Sequence, residues 1–338
     1  VSVQTGNTTN QIIYSSDGLT WSLASTAVGG GPVRWVNTYF MAAVNDDSTT
    51  KIAVSQDGIT WTTRLIGSYG QVQSIVADET GSTFIIGTYP DSISVEALLK
   101  SSDGTTWTPV GGTNQNYRHT GAVWDGLRYM VKTDNSANSI RVSYDGTTWT
   151  DTGGNIPGQQ LSWTKPHVGA LTIYQPSIAL GTGNSTMAFS KDGIFYKSLG
   201  NTLFTDQGNY AGWNGRLWIA CGSGNNTLGY SYDGIAWTGL GASIFSIQAN
   251  YVAWNGTRWV ATGEGTNTLA TSQDGINWSG LGTTAFDASG LTVSWNGTTW
   301  LAGGAGSTNT LAYSADGLSW TGLNKPLDIA VNDVQWFG

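Results

Sequence analysis

The sequence predicts an all-β protein, an eight-bladed β-propeller of four-stranded blades. Three observations lead to this prediction. The pattern Ser-x-Asp-Gly-x-x-Trp occurs eight times, with 40 to 47 residues between successive aspartates. Short runs of strand-forming residues separated by turn residues fill each interval, and a period near 40 residues is typical of a propeller blade. The chain also opens in mid-blade and closes on a segment that matches the missing first strand.

Each copy of the pattern, called a box below, predicts a tight hairpin turn. Gly adopts positive φ without steric cost, the Asp side chain accepts hydrogen bonds from the turn's own N–H groups, and the aromatic ring packs beneath. The box aspartates are Asp17, Asp57, Asp103, Asp145, Asp192, Asp233, Asp274 and Asp316. The aromatic residues four positions later are Trp21, Trp61, Trp107, Trp149, Tyr196, Trp237, Trp278 and Trp320. We interpret both sets as structural, because a ring holds equivalent carboxylates further apart than the roughly 5 to 10 Å that paired acid chemistry needs.

The boxes resemble the Asp-box, or bacterial neuraminidase repeat, of sialidases, some glycanases, sortilin-type receptors and many viral or phage surface proteins. The resemblance covers essentially the whole chain and is nearest to the non-enzymatic repeats of phage and large-virus surface proteins. It implies that each box joins strands 3 and 4 of a blade, on the face opposite the enzymes' active site. The chain departs from the commoner bacterial form in having one Gly, not two, after the Asp.

The first blade is predicted to use both ends of the chain. Val1–Thr5 is expected as its second strand, Gln11–Tyr14 as its third, and Trp21 starts its fourth. Its first strand is expected in Asp333–Gly338, which resembles the opening Tyr251–Gly256 of a complete repeat. Such closure removes exposed sheet edges. Residues 1–338 are therefore predicted to form a single propeller domain.

The remaining blades follow in order and differ mainly in their loops. Blades two to five are predicted to open at Val33, Val72, Ala122 and Trp163, and in blades six to eight Trp213, Trp254 and Trp295 lead into the turn after the first strand. Blade three carries a long loop at 89–97, and blade five carries an insertion at 165–176. Blades six to eight are nearly copies, each with an Asn-Gly turn between its first two strands.

The amino-acid composition limits the classes of partner that we expect. Net charge is −8, with only 14 Lys plus Arg in 338 residues, which argues against nucleic acid or an anionic membrane as the main partner. No apolar run approaches the length of a membrane span, so no membrane insertion is expected. Cys221, the only cysteine, lies in an apolar run and is expected to be a buried structural thiol.

Aromatic residues recur in the segments that lead from one blade to the next. They are Tyr69, Tyr117, Phe204, Phe245 and Phe286. A fixed offset favours a wedge that pins each segment against the next blade. The alternative is a ring of exposed aromatic side chains that holds carbohydrate or a partner protein, and this makes them candidate binding residues.

Polar loops between the second and third strands offer further candidates. Asn226, Asn267 and Asn309 lie in three such loops. Short amide side chains serve both turn formation and recognition of sugar hydroxyls, and turn formation is the favoured interpretation. Their repetition would suit a multivalent lectin.

An enzyme is disfavoured. A sialidase needs three converging Arg, a Tyr nucleophile with a Glu partner and an Asp acid, but the Arg-Ile-Pro segment is missing and only Glu79, Glu96 and Glu264 are available. His119 and His167 have no nucleophile motif beside them, and two His with one Cys do not make a zinc site of ordinary ligand count. We predict no catalytic residue, metal or cofactor.

The sequence thus favours a non-enzymatic binding propeller outside a cell or on a virion, which recognises glycan or protein through the face opposite the boxes. A structural module of a larger assembly is the second hypothesis, and exposed apolar patches would favour it. A sialidase-like glycoside hydrolase is the third.

Overall fold

The structure is a computed structural model that describes residues 12–17, 19–24, 30–36, 39–44, 49–89, 98–110, 119–133, 140–151, 160–162, 176–182, 185–192, 195–325 and 330–334. Regular structure within these ranges is β-strand throughout. No helix long and apolar enough to span a membrane occurs there. The all-β class predicted from the sequence is therefore confirmed.

Thirty strands are described, and they form consecutive antiparallel meanders that we number as units 1 to 8 after their boxes. Unit 1 is a two-stranded ribbon of β1 (Ile13–Tyr14) and β2 (Ser22–Leu23). Units 2 to 4 consist of β3 (Gly30–Val36), β4 (Tyr39–Val44), β5 (Thr50–Ser55), β6 (Thr62–Gly67); β7 (Gln71–Ala77), β8 (Phe84–Tyr89), β9 (Leu98–Ser101), β10 (Thr108–Val110); β11 (His119–Trp124), β12 (Tyr129–Thr133), β13 (Ile140–Ser143) and β14 (Thr150–Asp151). Each is a four-stranded sheet.

Units 5 to 8 continue the same plan. They consist of β15 (Gln160–Ser162), β16 (Ser177–Leu180), β17 (Met187–Ser190), β18 (Lys197–Gly200); β19 (Gln207–Trp213), β20 (Trp218–Ser223), β21 (Leu228–Ser231), β22 (Thr238–Gly239); β23 (Gln248–Trp254), β24 (Trp259–Glu264), β25 (Leu269–Ser272), β26 (Ser279–Gly280); β27 (Ser289–Trp295), β28 (Trp300–Ala305), β29 (Leu311–Ser314) and β30 (Thr321–Gly322). Single pairs, Ser223 with Gln248 and Glu264 with Ser289, link units 6, 7 and 8 into one hydrogen-bonded sheet.

The second strands form the centre of each unit. Strand β20, for example, is buried from Trp218 to Gly222, because sheets cover both of its faces. The first strands of successive units contact one another from β3 to β27. Consecutive four-stranded meanders that pack side by side through their first strands are the arrangement of a β-propeller.

The hydrophobic core lies between the units. Within the described residues, seven buried clusters join successive units and an eighth joins unit 1 with unit 8, and one box aromatic residue belongs to or packs against each. In one cluster Ile13 of unit 1 packs with Leu301 of unit 8 and with Val331 and Val334 near the end of the chain. The box aromatics therefore pack at the junctions between units, with Trp61 buried and the others partly buried.

Because successive strands are antiparallel, successive turns of a unit alternate between the two ends of the propeller. The box end carries the boxes and the turns between first and second strands. There, Asn214 Oδ1 accepts from Arg216 N and Leu217 N, and Asn255 and Asn296 repeat this bonding. The loop end carries the second-to-third loops and the connections between units.

Several predicted features lie outside the described residues. They are the strand at 1–5, the closing residues 335–338, Tyr117, Trp163, His167, and all but the outermost residues of the two insertions. Units 2 to 8 have the predicted four-strand order where it is described, and strand β16 at Ser177–Leu180 matches its predicted place.

Candidate functional site

Each of the eight boxes forms the same type of hydrogen-bonded turn. In the seventh box, Asp274 Oδ1 accepts from Ile276 N at 2.9 Å, from Asn277 N at 2.8 Å and from Ser272 Oγ at 3.0 Å. The seven remaining box aspartates also accept hydrogen bonds from turn N–H groups and from the Ser of their box. The box aspartates are thus held by their own backbone, in the structural role we predicted.

These bonds favour the charged carboxylate. Backbone N–H groups of Thr60 and Ile59 lower the pKa of Asp57 to about 2. At Asp274, burial opposes the shift, but the bonds from Asn277 and its neighbours outweigh it and bring the pKa to about 2. The pKa is also lowered at Asp17, Asp103, Asp145, Asp233 and Asp316. A general acid needs a raised pKa, so these carboxyls are poorly suited to acid catalysis.

In five of the described boxes the glycine also contacts the preceding unit, a contact that was not predicted from the sequence, whereas Gly58 lies against Phe40 of its own unit. The glycine has positive φ, and a Cβ added at Gly275 would lie 2.7 Å from Leu217 Cδ2 and 2.8 Å from Ile219 Cδ1. Gly104 likewise approaches Tyr39 and Met41 of unit 2. The repeated Gly is the only sequence signal for this close approach.

Cationic side chains strengthen three of these contacts. Lys100 Nζ donates to Asp145 O at 2.7 Å, and Arg64 Nη1 donates to Gly104 O at 3.3 Å. Arg128 donates to Asp192 O. In each case a cation of one unit binds the box backbone of the next, so three of the 14 Lys and Arg side chains serve joints between units.

The phenylalanines proposed as ligand contacts are buried at the loop end. Phe204, Phe245 and Phe286 are all 0% exposed. Each ring lies against a glycine of its unit's second strand, since a Cβ at Gly263 would meet Phe245 Cδ1 at 2.5 Å. The wedge interpretation therefore describes these three residues. Their assignment as candidate binding residues is corrected, because their rings offer no surface to a ligand.

Tyr69 is partly buried and differs from the phenylalanines. Its ring lies over Gly67, where a Cβ would come within 2.6 Å of Tyr69 Cε2. Its backbone N donates to Thr50 Oγ1 at 2.8 Å. Tyr69 thus folds back onto its own strand.

The three asparagines form intramolecular bonds. Asn267 Nδ2 donates to Ile244 O at 2.6 Å, and its Oδ1 accepts from Gly282 N at 2.8 Å. Asn226 makes the same pair of bonds with Leu203 O and Gly241 N, and Asn309 accepts from Asn324 N. These amides bond residues 15 or 23 positions away, so they tie their loops to neighbouring segments and do not form the local turns that were favoured, and they are already engaged.

A group that the sequence analysis missed lies where the first strands converge. The rings of Tyr210 and Tyr251 stack with centroids 3.8 Å apart, and their hydroxyls share a hydrogen bond. Burial raises the pKa of both phenols, and the negative charge of Asp333 raises it further. Arg34 Nη1 lies 3.8 Å from Asp333 Oδ2. Both phenols are therefore neutral at ordinary pH.

Exposed large apolar side chains concentrate at the box end. Eight of the twelve in the described residues lie there, with 36% to 71% of their surface exposed. They are Leu19, Trp35, Ile59, Leu127, Tyr144, Phe195, Tyr232 and Leu318. Six of them occupy the box positions just before the Asp or after the Gly, where the turn's hydrogen bonds do not require an apolar side chain.

All eight box aspartates are exposed at the same end. An exposed carboxylate is charged at neutral pH, and the turn bonds lower the pKa of carboxyls such as Asp57 and Asp274 still further. The box end therefore combines apolar side chains with fixed negative charge.

The predicted absence of catalytic and metal residues stays a prediction. The part of the chain that the structure describes holds no group of three or more His, Cys, Asp or Glu arranged for a metal ion. Cys221 is buried, and burial raises the pKa of its thiol. His119 is also buried.

Comparison with known proteins places the chain by fold alone. No family model matches it, and no curated protein matches it. Among solved structures, the computationally designed Ika8 protein is similar with a TM-score of 0.57 and 9% identity, over 94% of both chains. The WD40 beta propeller domain of Doa1 has a TM-score of 0.49 and 11% identity, over 84% of this chain and 89% of the domain. YCF48 bound to D1 peptide has a TM-score of 0.47 and 15% identity, over 76% and 82%.

Proposed function

We propose that this protein is a non-enzymatic recognition propeller whose partner is a protein that docks on the box end. The observation that carries the proposal is the concentration of exposed Tyr, Phe, Leu and Ile side chains at that end. Exposed apolar side chains gathered at one end of a soluble protein indicate an interaction site. The opposite face was favoured from the sequence, but the candidate side chains described there are buried, partly buried or engaged in hydrogen bonds.

The state of the acidic groups supports a binding role over catalysis. Box carboxyls such as Asp57 and Asp274 have lowered pKa values because they accept the hydrogen bonds of their own turns. Hydrolysis of a glycoside would need a carboxyl with a raised pKa opposite a second carboxylate. We therefore keep the proposal that the chain is not an enzyme.

We also propose the closed ring of eight blades. Eight inter-unit clusters for eight units are what a ring requires, since an open row of eight would have seven. The cluster of Ile13 with Leu301 and Val331, and the bond from Val331 N to Gly304 O at 2.9 Å, support closure through the C-terminal segment.

A relationship to the Asp-box proteins and a location outside a cell or on a virion are parts of the same proposal. The box spelling and the shared turn support the relationship. The weakly charged, Gly-rich composition suits such a setting. Permanent docking within a larger particle is the alternative, and the same apolar surface favours it.

Site-specific photo-crosslinking tests the proposal. Tyr232 at the box end and Ile247 at the loop end are equally exposed, at 55% each, so they make a matched pair. Each is replaced in turn by a photo-crosslinking amino acid, and the full chain is irradiated with extract of its source. We expect protein adducts from position 232 and few from position 247.

The remaining outcomes distinguish the alternatives. Adducts only from position 247 would move binding to the loop end. Failure at both positions together with specific binding on a glycan array would replace the protein partner by a glycan. Adducts that form in intact particles, and are found after those particles are denatured, but that do not form with soluble protein would favour the assembly module.

A further inference from the structure

Three exposed aromatic side chains lie in consecutive units at the box end. Tyr144 belongs to unit 4, Phe195 to unit 5 and Tyr232 to unit 6, and they are 58%, 71% and 55% exposed. Tyr232 meets Tyr230 edge to face, with ring centroids 6.0 Å apart, which leaves its ring displayed. We call these three residues the aromatic triad.

Carboxylates flank the triad along the chain. Tyr144 precedes Asp145, and Tyr232 precedes Asp233. At Asp233 the bonds from Ile235 N, Ala236 N and Ser231 Oγ all go to Oδ1. Oδ2 accepts none of these three bonds, so it is the oxygen that the turn leaves for a partner.

The charge of the surface decides among possible occupants. A second copy that docked with its own box end would oppose two rings of eight carboxylates, and like charges at an interface cost affinity. Nucleic acid and anionic lipid are repelled for the same reason, and the whole chain carries a net charge of −8. The exposed Lys191 in the box of unit 5 offsets part of this charge, but the eight box carboxylates outnumber it, so complementarity favours a cationic occupant.

The aromatic side chains specify it further. Lys and Arg bind over the faces of Tyr and Phe by cation–π interaction, and Arg also pairs with carboxylate oxygens. Apolar side chains of the same segment would cover the exposed ring edges. A segment that offers both kinds of side chain matches the triad and its carboxylates together.

We infer that the aromatic triad and its flanking aspartates bind a basic, apolar segment of a partner protein, with Lys or Arg side chains over the tyrosine rings. This inference rests on the proposed docking function of the box end. It adds the chemical class of the partner and the units that receive it.

Synthetic peptides test the inference with the full chain. The probe is a fluorescent peptide that alternates Lys or Arg with Leu. One control peptide replaces every cation by Glu, and a second replaces every Leu by Ser. Fluorescence anisotropy titrations at low and high salt give the affinities.

Protein variants supply the matched controls. Tyr144→Ser/Phe195→Ser/Tyr232→Ser removes the triad, whereas Leu65→Ser on the outer strand β6 and Ile247→Ser at the loop end remove equally exposed apolar residues elsewhere. Ser102→Lys/Gln273→Lys adds positive charge at exposed box positions that flank units 4 to 6 and leaves every box aspartate in place. All variants are checked for unchanged thermal unfolding.

We expect the basic apolar peptide to bind and both control peptides to fail. The triad variant should weaken binding by about tenfold or more, because it removes the rings that the cations and apolar side chains of the peptide would cover. The added lysines should weaken it at low salt and much less at high salt, because ions screen exposed charges. Leu65→Ser and Ile247→Ser should leave the affinity unchanged.

Equal binding of the Glu peptide, or equal affinity of the triad variant and the wild type, would overturn the inference. So would absence of any peptide binding. If protein adducts still form at position 232 in that case, the docking function stands and only the basic partner is wrong.

Discussion

At the scale of single residues, identical chemistry is repeated and slightly varied. A box Asp accepts bonds from groups within three residues, mostly on Oδ1 and at Asp274 also on Oδ2, so the turn does not depend on distant parts of the chain. Phe245 is different, because its buried place depends on Gly263 and on the rest of the cluster around it. Side chains of similar chemistry thus serve as core or as surface according to what covers them.

Replacement by alanine distinguishes a buried structural side chain from an exposed side chain that contacts a ligand. We expect Phe245→Ala to lower the free energy of unfolding by about 3 to 5 kcal/mol, because it leaves a cavity in a buried cluster. Ile247→Ala, two residues later and 55% exposed, should change it by about 0.5 kcal/mol or less. Urea denaturation measures both. Similar small effects would contradict the wedge assignment.

Acid should unfold the protein within a window set by the boxes. A carboxyl with a lowered folded-state pKa stabilises the protein above its unfolded-state value near 3.8 and loses that contribution as pH falls through about 2. The free energy of unfolding should therefore stay level above about pH 5 and fall steeply between about pH 4 and 2. Denaturant titrations at stepped pH measure it.

The variant Asp274→Asn provides the control for this window. It has one fewer titrating box, so its stability should be lower at neutral pH and should fall less steeply in acid. A free energy that stays level down to pH 2 would show that the boxes do not control acid stability.

At the scale of elements, a box is both a turn and a joint. Its glycine provides positive φ for the hairpin and also allows the second strand of the preceding unit to approach. The sequence analysis identified the first role from the Asp-Gly pair. It missed the second, because residues 217 and 275 are far apart in the chain and no local pattern records their contact.

Two glycines with nearly equal backbone angles test the joint. Gly275 has φ +76° and lies against Leu217, whereas Gly282 has φ +74° with nothing within 4 Å of an added Cβ. Gly282→Ala should cost only the left-handed strain of about 1 to 2 kcal/mol. Gly275→Ala should cost about 1 to 3 kcal/mol more from overpacking. Equal losses in urea denaturation would argue against the joint.

At the scale of the whole molecule, stability is distributed over eight inter-unit clusters of comparable composition. Each unit is too thin to bury its own aromatic residues and depends on its neighbours. In a closed ring, the loss of one cluster should weaken the others. The single cysteine lies in the cluster between units 6 and 7 and can report its opening.

Thiol labelling measures whether the units open together. Cys221 is 0% exposed and burial raises the pKa of its thiol, so we expect no reaction with a chromogenic disulfide reagent under native conditions. As denaturant is added, the labelling rate should rise with the same dependence as global unfolding. Rapid labelling of the native chain would indicate local opening between units 6 and 7.

The sequence by itself determined the all-β class, the four-stranded units and the turn chemistry of the boxes. All of these depend on residues a few positions apart, and eightfold repetition makes the pattern plain. It also favoured structural roles for Phe204, Phe245, Phe286 and the three asparagines, while leaving binding open. Only the tertiary structure shows which of these side chains are buried or bonded, since burial depends on neighbouring strands.

Only the tertiary structure decided which end of the molecule displays apolar surface. Tyr144, Phe195 and Tyr232 look like ordinary box residues in the sequence, and Tyr210 and Tyr251 look like ordinary strand residues. Exposure of the first group and stacking of the second depend on packing between units whose equivalent residues lie about 40 positions apart in the chain. Local pattern specifies each unit, whereas the surface arises from how the units pack together.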